Sequence, residues 1–170
     1  MARCGTESRP RVADIVQAAG LSNDAFYRHF PSKDALVLAI LDDGAERLAA
    51  YLAHQMAKAT APDEAVRRWV AGVLAQADGA LAATTLAVLW NGGATAEGMG
   101  GRHVAQLAPL LVEPLASLGC ADPEDVATLA AHAAVGRLTD LLWAGRPPTD
   151  DDVDRVTAFC LRAAGGPGSR

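Results

Sequence analysis

The side chains best suited to recognition chemistry crowd near the start of this sequence. Asn23, Ala25 and Arg28 lie within one short stretch. An Asn can bond both edge atoms of adenine, an Ala can touch the thymine methyl, and an Arg can bind guanine through two parallel hydrogen bonds. Which of the three reads a base is left open by the sequence. Ser22 precedes them, and a serine there caps a helix whose free N-terminal amides favour an anion such as phosphate. Catalytic chemistry has no such concentration. The phosphate-loop pattern G-x-x-x-x-G-K-[ST], the zinc-protease pattern H-E-x-x-H and the nucleophile elbow G-x-S-x-G are all missing. His29, His54, His103 and His132 are scattered without ligand spacing, and Cys4, Cys120 and Cys160 fit neither a disulfide framework nor a zinc site. The expectation is a protein that is not an enzyme and has no cofactor and no metal.

The elements that must position these residues are helices. Of 170 residues 37 are Ala, and Ala with Leu greatly outnumber the β-branched residues, which favours an all-α chain. Val12, Ile15, Val16 and Ala19 follow the spacing of one helix face, and Gly20 ends that helix. Leu21 fills a tight turn, Ser22 caps, and Asn23 to Phe30 reads as a second short helix. Two short helices with a Gly-containing turn form a helix-turn-helix pattern, which places its second helix in the major groove. Ser32 then caps a long helix reaching about Lys58. Phe26 and Phe30 are expected in the core of this head.

Charge divides the same way. The net −5 of the whole chain argues at first against a polyanionic partner, yet Arg3, Arg9, Arg11, Arg28 and Lys33 make residues 1–33 basic while the remainder is acidic. No apolar run is long enough to span a bilayer and the N-terminus lacks a secretory h-region, so a cytoplasmic protein with no membrane partner is expected.

The string RVADIVQAAGLSNDAFYRHFPSKDALVLAIL, Arg11 to Leu41, resembles the tetracycline-repressor-like (TetR/AcrR) family of bacterial transcriptional regulators. The resemblance rests on Ile15, on Ala19 to Ser22 at the turn, on Tyr27 to Phe30, and on Ser32 with Lys33. It implies a helix-turn-helix DNA-binding head followed by a multi-helix ligand-binding and dimerisation body. Tyr27 and His29 resemble the family's phosphate-contacting pair, and Lys33 its phosphate-binding lysine. Arg11 stands where the family often has a hydroxyl residue touching the backbone. Asp24 departs from the small residue usual there. The implied DNA-binding set is therefore Arg11, Ser22, Asn23, Ala25, Tyr27, Arg28, His29 and Lys33.

The resemblance also implies a helix before the hairpin, whereas only ten residues precede Arg11 and they include Gly5 and Pro10. That first helix is expected to be missing or vestigial, with the true start upstream. The head is placed at residues 1–45, the body at 46–164 and a disordered tail at 165–170.

Within the body, helices are expected from Pro62 to near Gly79, from about Ala80 to Trp90, from about Arg102 to Leu118 with bends at Pro109 and Pro114, from Pro123 to near Gly145, and from Val153 to Ala164 behind a Thr149–Asp152 capping box. The Gly-rich segment 91–101 reads as a loop. The last two helices are expected to pair with their copies in a homodimer. Ala130, Ala131, Ala133, Ala134 and Gly136 would form a small-residue surface there, flanked by Leu129, Leu138, Leu141, Leu142, Val153, Val156 and Cys160. Trp69, Trp90, Met99, His103 and Trp143 are the candidate walls of a pocket for a small-molecule effector. The functional expectation is a ligand-responsive, sequence-specific regulator, a repressor released by an inducer from a palindromic operator in double-stranded DNA. The alternative is a helical ligand-binding or interaction protein whose incomplete head no longer binds DNA.

Overall fold

The computed structural model describes residues 11–79, 82 and 99–165. Among them are eight α-helices and no strand: α1 (Val12–Ala18), α2 (Asn23–His29), α3 (Lys33–Met56), α4 (Pro62–Leu74), α5 (Met99–Leu107), α6 (Pro109–Ser117), α7 (Pro123–Ala144) and α8 (Asp150–Ala164). A 3-10 turn at Ala75–Ala77 follows α4. Of the expected helix over 80–90 only residue 82 is described; its other residues lie outside the described ones, as do residues 1–10 and 166–170. No described helix is long and apolar enough to cross a membrane.

Helix α4 is the hub, because α3, α6, α7 and α8 all pack on it. Its sequence explains this role: Val66, Trp69, Val70, Val73 and Leu74 recur at helical spacing and none retains any exposure. Gly72 belongs to the same buried surface, and a Cβ there would collide with the Leu52 side chain of α3. Glycine weakens a helix interior; here it lets α3 and α4 approach closely. The core continues through Leu107, Leu111 and Leu115 to the inner faces of α7 and α8.

The expected helix from Arg102 to Leu118 is two helices. Pro109 has no N–H to continue the ladder, Ala108 stands between α5 and α6, and the Leu111 amide turns to the Ala108 carbonyl at 2.9 Å. The displaced Leu107 carbonyl instead accepts from the Trp69 indole at 3.2 Å. Pro114, by contrast, sits within α6, which continues to Ser117. The Gly-rich segment was expected to remain loop to Gly101, but α5 already begins at Met99; residues 91–98 lie outside the described residues. Helix α8 starts at Asp150 rather than Val153, because its capping box forms in both directions: the Thr149 hydroxyl accepts from the Asp152 amide at 3.3 Å, and Asp152 accepts from the Thr149 amide at 2.9 Å.

Asp152 does more than cap. Its carboxylate is buried and accepts from Arg146 at 2.8 Å and from Arg137 of α7. The Arg146 hydrogen bonds, then those of Arg137 and Thr149, hold it well below the usual carboxylate range. This network ties the end of α7, the connecting turn and the start of α8 into one unit.

The small-residue surface of α7 is largely an internal one. Ala130, Ala131 and Ala134 are buried in the core with Leu141, Leu142, Val153 and Cys160, because the short side chains let α7 lie close to its neighbours. Ala133 is half-buried and Gly136 exposed.

Candidate nucleic-acid interface

The turn between α1 and α2 is fixed by its backbone. Gly20 adopts φ +68°, the Leu21 amide donates to the Val16 carbonyl at 2.8 Å, and the Gly20 amide donates to that of Gln17 at 3.2 Å. This paired arrangement satisfies the carbonyls at the end of α1, and the left-handed residue it needs is the one glycine supplies most cheaply. The chain then turns extended at Ser22, whose Oγ accepts from the Ala25 amide at 3.1 Å and opens α2. Ser32 repeats the device for α3, accepting from the Ala35 amide at 3.1 Å.

The orientation of α2 is set by aromatic packing. Phe26 is buried, with its ring 5.2 Å from Tyr27 in an edge-to-face arrangement and 5.7 Å from Phe30. Its buried companions in the head, Val16 and Val37, belong to α1 and α3. These residues stand apart from the core cluster of the body.

With Phe26 turned inward, Asn23, Asp24, Tyr27, Arg28 and His29 are turned outward, and Ser22 is exposed at the helix start. Tyr27 keeps 56% of its surface despite being one of the largest side chains of the head. Ala25 is half-buried, as is Lys33 in the first turn of α3. Arg11 is exposed at the start of α1, where its backbone amide donates to Asp14 at 2.7 Å. Asp24 stands in the first turn of α2, where the helix dipole favours a carboxylate. The seven residues of α2 span about 10 Å at the usual rise, comparable with the major-groove width of about 12 Å.

Residues 10–40 match the family model of bacterial regulatory proteins of the tetR family. The chain carries a TetR-family head. This TetR-type head makes it a DNA-binding transcriptional regulator of the helix-turn-helix class. No curated protein and no solved structure matches the chain.

Of the expected effector residues of this TetR-type chain that are described, Trp69, His103 and Trp143 line neither the cleft between α7 and α8 nor the one where α5 and α6 meet α7. Trp69 is completely buried in the core and donates its indole N–H to the Leu107 carbonyl. Trp143 stands 57% exposed near the end of α7. His103 is half-buried on α5. Trp90 and the Met99 side chain lie outside the described residues. Open clefts occur elsewhere among the described residues. One, of about 310 Å3, lies between α7 and α8 and includes Ala133, Arg137, Val156 and Phe159. Another, of about 530 Å3, lies where α5 and α6 meet α7. The second has a legible sequence signal that went unused, the polar series Glu124, Thr128 and His132 at four-residue steps along α7.

Proposed function

We propose that the protein is a ligand-responsive, sequence-specific regulator that acts as a homodimer, a repressor released from a palindromic operator by a small-molecule inducer. The outward polar face of α2 carries this reading, set beside the Ser22 cap and backed by buried Phe26. Asn23, Ala25 and Arg28 are assigned to base edges. Arg11, Ser22, Tyr27, His29 and Lys33 are assigned to phosphates, which fix register without carrying sequence information. A head to about residue 45, a body to 164 and an intracellular location complete the proposal.

Dimerisation is assigned to the outer faces of α7 and α8. Leu129, Trp143 and Phe159 are large apolar side chains left exposed on these two helices, and space beyond Gly136 is open. A partner approaching there would cover apolar surface that a lone subunit leaves in water. The two-fold axis of such a dimer would set its half-sites one helical turn apart or a multiple of it.

The test is footprinting on DNA flanking the protein's own gene, followed by binding across a salt series. Each phosphate neutralised contributes about −0.9 to the slope of log K against log salt. A protected, two-fold-related site with a steep slope supports the proposal. No sequence preference and no slope would instead identify a helical ligand-binding protein that does not use DNA.

A further inference from the structure

The cleft of about 530 Å3 between α5, α6 and α7 has two chemically different sides. Its floor includes Val104, Ala108 and Ala127, all buried and all apolar. Its polar wall is one stripe of α7, Glu124, Thr128 and His132, all with exposed side chains. The hydrogen-bonding state of this stripe decides what fits. The Thr128 hydroxyl donates its single hydrogen to the Glu124 carbonyl at 3.0 Å, so only its lone pairs face outward. Glu124 is an acceptor in its ionised form, and among the described residues no cation pairs with its carboxylate. His132 adds an imidazole, which in its neutral form offers one acceptor and one donor nitrogen. Steps of four residues place these groups about 6 Å apart along the helix, giving an acceptor-rich wall over an apolar floor.

We infer that this cleft binds a cationic amphiphile, a small molecule with an ammonium group for the Glu124–Thr128 end and an apolar body for the floor. An anionic amphiphile of the same shape would meet Glu124 with like charge, and a neutral one would offer it no counter-charge. The cleft volume lies within the usual range for small-molecule sites. As the identity of the effector class, the inference rests on the ligand-responsive reading above; as a binding site it does not.

The experiment is calorimetric titration of the whole protein with octylammonium, octanol and octanoate, which share a chain and differ in head group. Octylammonium is expected to bind about threefold to tenfold tighter than octanol, the range for a partly exposed charge-assisted bond, with octanoate weakest. Glu124→Gln should bring octylammonium to the level of octanol while leaving octanol unchanged. Ala105→Phe, at an exposed cleft position, should abolish both, with circular dichroism confirming the fold. Octanol or octanoate binding as tightly as octylammonium, an unaltered Glu124→Gln variant, or no binding at all would overturn the inference. So would an Ala105→Phe variant that changes from dimer to monomer, since a second copy would then occupy the cleft. Operator release is read separately. If the operator complex ignores octylammonium that binds with the expected order, the effector role fails and the site stands. If no DNA is bound at all, the regulator reading fails and the titrations still decide the ligand class.

Discussion

Asp152 is a buried carboxylate held between Arg137 and Arg146, with the Thr149 cap completing its shell. Removing its charge leaves two guanidinium groups without their shared acceptor. Asp152→Asn is expected to destabilise the protein by about 2–3 kcal/mol, read from chemical denaturation. The sign with pH follows from the depressed folded-state pKa. The contribution is present above the ordinary value of 3.8 for an unfolded aspartate and is lost as pH falls through the lower folded value. The difference between wild type and Asp152→Asn should therefore be flat from neutral pH to about pH 5 and shrink below the ordinary aspartate value; a difference that grows on acidification would contradict it. Cys160 gives a second residue-scale expectation. Burial pushes its thiol up to about 11, so it should resist alkylation in the native protein while half-buried Cys120 reacts. Mass spectrometry after a short iodoacetamide pulse decides this, and equal labelling of both would refute it. In the head, Arg28→Ala should relax preference at one base position, whereas Lys33→Ala should weaken binding to every sequence. Identical binding profiles for the two variants would reject their assigned roles.

Between elements, the close approach of α3 to α4 and the turn from α1 to α2 depend on glycines for different reasons. Gly72→Ala raises intrinsic helix propensity, yet its methyl would press on fully buried Leu52. The packing penalty should win, with a net loss of about 1–2 kcal/mol on denaturation; a stabilised variant would show that α3 shifts at little cost. At Gly20 nothing stands within 4 Å of an added Cβ, but φ is +68°. Gly20→Ala should cost about 1 kcal/mol through backbone strain alone. Because that residue sets the entry into α2, DNA affinity should fall more than the stability of the body, a comparison that binding and thermal melting make directly. The helix caps were legible from sequence because Ser22, Ser32, Asp122 and Thr149 act on amides three residues away. The division at Ala108 was harder to place: the sequence offers Pro109 and Pro114 alike, and only the burial of Trp69 against Leu107 distinguishes them.

For the molecule as a whole, the exposed apolar side chains of α7 and α8 make association measurable. Phe159→Glu, at a position 44% exposed, should leave the subunit folded and shift sedimentation toward monomer, with loss of operator affinity because two heads no longer bind together. A dimer unaffected by this change would move the interface elsewhere. What the sequence determined by itself was local: helix content, caps, the Gly20 turn and the string that carries the TetR-type head, all governed by interactions within a few residues of chain. What only the tertiary structure decided was direction. The alternation of Ala and Leu along α7 fits more than one buried face, and packing on α4 turned Ala130, Ala131 and Ala134 inward while leaving Ala133 half-buried and Gly136 exposed. The same packing sealed Trp69 into the core and gathered Glu124, Thr128 and His132 over an apolar floor, because burial depends on contacts between residues far apart in the chain, which spacing along it does not encode.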